Sequence, residues 1–156
     1  MDKIVCEEEL RVIIDKCKNQ GLKVVTTSGC FDILHAGHVM YLAEAKERGD
    51  VLVVLLNSDM SVRELKGIQR PVVPQDERAC VLSGLESVDY VCIFNDRTPC
   101  RIIENVKPDI VVKGGDYQGK HIPEMDTVSL YGGVVEYVHL KEGCSSTSII
   151  EKIKSL

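Results

Sequence analysis

The sequence predicts one doubly wound α/β domain over residues 1–156, a parallel sheet with helices on both faces. Three observations carry that reading. Short β-branched runs alternate with helix-like periodicity along the chain. One run, Val51 to Leu56, is apolar on both faces, as a central parallel strand must be. No repeat, low-complexity tract or linker interrupts the alternation. Length agrees, because a chain of 156 residues is long enough for a core but short for two domains.

The elements follow in order. An amphipathic helix runs from Glu7 to about Asn19 and is closed by Gly21. Lys23 to Thr27 is a β-branched run, hence the first strand. From Gly37 to Arg48 apolar residues recur at Val39, Leu42 and Ala43, giving a helix stopped by Gly49. Val51 to Leu56 is the second strand. Gln75 to Gly84 reads as a helix, Tyr90 to Phe94 as a strand, and a further helix follows Pro99. Asp109 to Lys113 and Val134 to Val138 complete the strands. The last helix opens in Ser145-Ser146-Thr147-Ser148, where Ser148 and Glu151 have capping-box spacing.

Composition narrows the function classes. Apolar residues make up 44% and charged residues 28%; 19 Lys and Arg face 24 Asp and Glu, a net charge of −5. This balance gives no broad electrostatic grip on nucleic acid or on an anionic membrane, though it leaves room for a locally basic pocket. No apolar run reaches membrane-spanning length, and the opening Met1-Asp2-Lys3 leads to acidic residues rather than a signal-peptide core. The seven cysteines are irregularly spaced with no Cys-x-x-Cys pair, which reads as reduced thiols in a cytoplasmic protein. No cluster with metal-ligand spacing appears, so no protein-held metal is expected.

Ligands of doubly wound sheets bind at the carboxyl ends of the strands, which directs attention to the βα loops. The first reads Thr27-Ser28-Gly29-Cys30-Phe31-Asp32-Ile33-Leu34-His35-Ala36-Gly37-His38. Gly29 and Gly37 permit close backbone approach, and the loop feeds a helix N-terminus, a ready anion site. It lacks the Gly-x-Gly-x-x-Gly fingerprint, which removes the main support for a nicotinamide oxidoreductase. It offers instead two histidines three residues apart, His35 and His38, which can face one phosphate chain beside free backbone amides. Structural and metal-ligating roles compete for this pair, but His121 and His139 have no ligand spacing with it, and phosphate chemistry leads.

The string from Gly29 to His38 resembles the signature of the cytidylyltransferase-like nucleotidyltransferases, whose His-x-Gly-His motif follows the first strand. The resemblance extends from about Val5 to Ile153. Within the family it is strongest toward the heptose 1-phosphate adenylyltransferases, through Asn57-Ser58-Asp59 with Leu65-Lys66-Gly67, Arg70-Pro71 with Arg78, Val112 to Tyr117, and Glu142 to Thr147. It implies a Rossmann-like fold and transfer of AMP from ATP to a sugar 1-phosphate such as D-glycero-β-D-manno-heptose 1-phosphate, with ADP-sugar and pyrophosphate as products. By the same resemblance His35, His38, Lys66 and Arg78 are the catalytic residues, with Lys66 on a mobile loop and Arg78 neutralising phosphate. Gly29, Cys30, Phe31, Asp32, Gly37, Asn57, Asp59, Gly115, Asp116, Ser145, Ser146 and Thr147 are the nucleotide-binding set. Mg²⁺ is expected with the triphosphate, and a homodimer is expected from the family.

Two stretches point elsewhere. Tyr117-Gln118-Gly119-Lys120 resembles the Trp-x-Gly-Lys of glycerol-3-phosphate cytidylyltransferases, and His121 to Asp126 departs from the heptose pattern. Leu140-Lys141 stands where the cytidylyltransferases carry the Arg-Thr pair of their CTP site. ATP with a sugar phosphate is therefore the expected pair, with CTP and a polyol phosphate the alternative. A nucleotide-binding domain without catalysis is the alternative of another class.

Overall fold

The strands of the computed structural model, which describes residues 2–156, are β1 (Val24–Gly29), β2 (Val51–Asn57), β3 (Tyr90–Phe94), β4 (Ile110–Gly114) and β5 (Val134–Val138). They form one sheet in the order β3-β2-β1-β4-β5, and every pairing is parallel. The helices are α1 (Glu7–Asn19), α2 (Ala36–Lys46), α3 (Asp59–Lys66), α4 (Gln75–Ser83), α5 (Cys100–Val106), α6 (Pro123–Ser129) and α7 (Ser146–Lys154), with a single 3₁₀ turn at Gly115–Tyr117. The chain winds outward from β1 through β2 to β3, then returns past β1 to build β4 and β5. Winding reverses between β1 and β4, so the loops at their carboxyl ends diverge and open a crevice there.

Successive strand residues serve opposite faces. Val25, Leu52, Val54, Leu56 and Val112 pack against Leu42 and Ala45 of α2 and Leu82 of α4. Val24, Val53, Leu55 and Val111 pack against Leu10 and Ile14 of α1, Ile103 of α5 and Val128 of α6. This two-sided burial is what the unbroken apolar run of β2 encodes. Tyr41 ties the layers beneath the crevice: its hydroxyl donates to the Val112 carbonyl at 3.2 Å and lies 2.7 Å from Thr27 Oγ1. Burial pushes this phenol up to about 12, so it remains a neutral hydrogen-bonding group.

Local chemistry sets the helix ends. Glu9 Oε2 accepts from the Cys6 amide at 2.9 Å, and Glu7, Glu8 and Glu9 at the start of α1 face Lys16 and Lys18 at its end, matching the helix dipole. Helix α2 starts one residue earlier than the periodicity predicts because His35 caps it, and it ends at Lys46. Helices α3 and α6 were not predicted; α3 is short and opens on Ser58, whose hydroxyl accepts from the Ser61 amide at 3.2 Å. At α7 the cap is Ser145, accepting from the Ser148 amide at 3.0 Å, so the Ser148–Glu151 spacing is not the cap.

Candidate active site

The loop leaving β1 makes a sharp turn through Phe31, which sits at φ 44°, a left-handed conformation that bulky residues seldom adopt. Such strain persists only where the surroundings fix it. Here the ring lies over Gly29, where a Cβ would come within 2.9 Å of Phe31 Cε2. The other side of the ring environment is His38, with centroids 5.2 Å apart. The next residue, Asp32, is buried. Its carboxylate accepts from the Val72 and Val73 amides, both at 2.9 Å, and from Arg70 Nε at 2.7 Å. Burial alone would raise this carboxyl; the Val73 and Val72 amides and the Arg70 guanidinium outweigh it and hold Asp32 below the ordinary carboxylate range. Asp32 thereby ties the loop to the segment following α3.

Both histidines use their Nδ1 atoms locally. His35 Nδ1 accepts from the Gly37 amide at 3.1 Å, and His38 Nδ1 faces the His35 amide at 3.4 Å. A neutral imidazole whose Nδ1 accepts carries its proton on Nε2. The rings stack at 3.8 Å and 23°, each with Nε2–H left to donate to a ligand. Burial lowers His35, and burial together with the charges of His35 and Lys66 lowers His38 to about 4. The pair is neutral at pH 7.

These groups line a crevice of about 380 Å³ at the carboxyl ends of β1 and β4, within the range usual for small-ligand sites, roughly 300–1,000 Å³. The N-termini of α2 and α7 both open into it, placing the positive ends of two helix dipoles on one space. They meet at Gly37, where a Cβ would stand 2.9 Å from Cys144 Cβ. Ser146 Oγ donates to the Ile33 carbonyl at 3.2 Å and pins the start of α7 to the first loop. On the β4 side, Lys113 Nζ lies 2.6 Å from Glu124 Oε1, 3.5 Å from Ser28 Oγ and 5.2 Å from the Tyr117 ring.

Of the residues singled out in the sequence, Gly29, Cys30, Phe31, Asp32, His35, Gly37, His38, Lys66, Asp116, Ser145, Ser146 and Thr147 line the crevice. Lys66 is the last residue of α3 rather than a loop residue. Arg78, Asn57, Asp59 and Gly115 do not line it. Arg78 is 2% exposed, and its guanidinium is fully engaged: Nε donates to Val73 O, Nη1 to Cys30 O and Asn57 O, and Nη2 to Asp59 Oδ1, all between 2.6 and 2.9 Å. Its place is behind the wall, clamping three loops together. Tyr41, Lys113, Tyr117, Lys141 and Cys144 line the crevice without having been singled out. Lys113 stood in a matching motif but reads as a strand residue, and Tyr41 lies on the helix interior; only the third dimension brings them to the site.

The family model described as Cytidylyltransferase-like matches residues 26–152. The chain is 52% identical over 151 residues to Bifunctional protein HldE of Geobacter metallireducens, covering 97% of this chain and 31% of that protein. It is 53% identical over 152 residues to Bifunctional protein HldE of Campylobacter concisus, with the same two coverages, 97% and 31%. The chain thus spans about a third of the length of these curated relatives. Among solved structures, the lipopolysaccharide core biosynthesis protein from Thermoplasma volcanium is similar at a TM-score of 0.64 and 32% identity, over 78% of this chain and 98% of that one.

Proposed function

The chain belongs to the cytidylyltransferase-like family, and from that premise we propose that it transfers AMP from ATP to a sugar 1-phosphate, D-glycero-β-D-manno-heptose 1-phosphate, releasing ADP-sugar and pyrophosphate. The observation that carries this reading is the neutral, stacked His35–His38 pair between two helix N-termini at the point where the sheet reverses its winding. About 50% identity to the HldE proteins across nearly the whole chain supports the adenylyl and heptose assignment.

The reaction needs no protein nucleophile. An oxygen of the acceptor phosphate attacks the α-phosphorus, the bond to the bridging oxygen breaks, and pyrophosphate leaves in line. The chain's contribution is alignment and stabilisation of charge. His35 and His38 donate Nε2–H to phosphate oxygens as negative charge accumulates, without giving up a proton. The α7 amides, that of Ser146 among them, and the Ser145 and Thr147 hydroxyls hold the remaining phosphates. Lys66 adds a positive charge at the rim. Among the described residues no three His, Cys, Asp or Glu side chains are grouped to hold a metal. Mg²⁺ would enter with the triphosphate and would supply neutralisation of its charge beside His35, His38 and Lys66.

Exposed apolar side chains at Leu65, Ile68 and Val72 support a homodimer. The seven free cysteines support a reducing, cytoplasmic setting. Among the described residues no helix is long and apolar enough to cross a membrane.

One observation favours CTP with a polyol phosphate as a second reading: Tyr117, which opens the cytidylyltransferase-like stretch, lines the crevice. Pyrophosphate release with ATP, CTP, GTP or UTP, each offered with heptose 1-phosphate and with glycerol 3-phosphate, separates the two. Release with ATP and heptose 1-phosphate alone is expected. Release with CTP alone would move the substrate assignment and leave the site residues in place. No release from any pair would leave a binding domain.

A further inference from the structure

The crevice must hold two anions, a triphosphate and a phosphomonoester. The histidines and the two helix N-termini supply donors for the first. The cations available to the second are few, because Arg78 is engaged by carbonyls and Asp59, and Lys113 is paired with Glu124 at 2.6 Å. Two remain. Lys66 lines the crevice, and among the described residues it forms no ion pair.

The other is Arg70. Its Nε donates to Asp32 Oδ2 at 2.7 Å, and its side chain is only 14% exposed. Its Nη2 is buried and has no hydrogen-bond partner in the protein. Orphaned buried donors are uncommon, and the fork of a guanidinium is suited to binding an oxyanion. Asp32 cannot turn toward Nη2, because the Val72 and Val73 amides fix the same carboxylate. The fork is therefore held in one orientation one residue behind the crevice wall. Arg70 reaches that wall through Asp32, which lines the crevice together with Cys30 and Lys66.

We propose that Arg70, held by Asp32 and acting with Lys66, is the receptor for the phosphate of the acceptor substrate. The assignment rests on the nucleotidyl-transfer reading and deepens it. The subsite takes a phosphomonoester dianion, bound by a fork that favours planar, two-point contact with phosphate oxygens. It also places the acceptor on the Cys30–Asp32 side of the crevice, opposite Lys113 and Tyr117.

The test is calorimetric titration of inorganic phosphate into protein saturated with α,β-methylene-ATP, whose bridging carbon forbids AMP transfer. Arg70→Gln is expected to weaken phosphate binding about tenfold or more while leaving the affinity for the analogue unchanged. Arg70→Lys, which keeps the charge and loses the fork, falls between and serves where the Gln variant does not fold. Unchanged phosphate affinity, or equal weakening of the analogue, overturns the Arg70 assignment and leaves nucleotidyl transfer standing. Failure of the unmodified protein to bind the analogue overturns the nucleotidyl reading itself, and the assignment falls with it.

Discussion

The imidazole rings of His35 and His38 stack with their centroids 3.8 Å apart, and each turns its Nδ1 to a backbone amide of the same loop. Two rings so placed cannot both be charged without repulsion, and burial already disfavours the first proton. What the loop presents is two fixed, neutral N–H donors. Nitrogen-resolved NMR at pH 7 is expected to show both residues as the Nε2–H tautomer, with His38 titrating near pH 4. Charging either ring at pH 7 in the free protein would contradict this.

The same shift has a sign for stability. Below pH 6.5 an unfolded chain takes up the proton that native His38 refuses until about pH 4. The folded protein is therefore expected to lose stability as pH falls through that window and to keep it above. Replacing His38 with Gln should flatten the dependence, measured as urea midpoints across pH 4 to 7.

Asp32 is a hub whose oxygens are all committed within the protein, to Val72, Val73 and Arg70. Asp32→Asn removes the charge beside a largely buried guanidinium, and breaking such a pair from one side costs roughly 3–5 kcal/mol. Chemical denaturation should read that loss. Because the native carboxyl is held below its ordinary range, its contribution is present above that range and is lost as pH falls through the depressed value.

Arg78 separates positioning from ligand contact. Arg78→Lys keeps the charge but cannot reach Val73, Cys30, Asn57 and Asp59 together. The expected result is a lower melting temperature and a reduced kcat, with the KM for ATP changed little where the variant is folded. A large rise in the KM for ATP at unchanged stability would instead put Arg78 on the nucleotide.

Gly37 is where α7 docks on α2. An added methyl at this position would stand 2.9 Å from both Cys144 Cβ and His35 Cε1. Gly37→Ala is expected to push the Cys144–Thr147 segment outward and weaken nucleotide binding about tenfold or more, as misplacement near 1 Å does elsewhere. Gly84→Ala, at φ −75° with no heavy atom nearer than 3.4 Å to its Cβ, supplies a control for a substitution far from that contact, judged by nucleotide affinity alone.

Local signals made most of this fold legible. The five strands stand out because β-branched runs and two-sided apolarity are properties of short segments. The histidine loop was legible because its chemistry is contiguous. Helix α3 was not, since eight residues are too short a run for a helical period to stand out, and only Ser58 marks its start. Arg78 illustrates the opposite limit. A lone arginine in a polar stretch carries no sign of burial, and four acceptors on three separate segments decide its place. Lys113 and Glu124 pair across eleven positions through folding alone, so neither could be seen as part of a site wall.

The central claim is that the crevice uses the neutral histidine pair to transfer AMP. Its most direct test is pyrophosphate release from Mg²⁺-ATP and heptose 1-phosphate by the unmodified protein and by His38→Ala, with ATP affinity measured in parallel. The expected outcome is steady release by the former and a loss of about 10²–10³ in kcat for the latter, with ATP still bound. Equal rates from the two proteins, or no release from the unmodified one, would contradict the account.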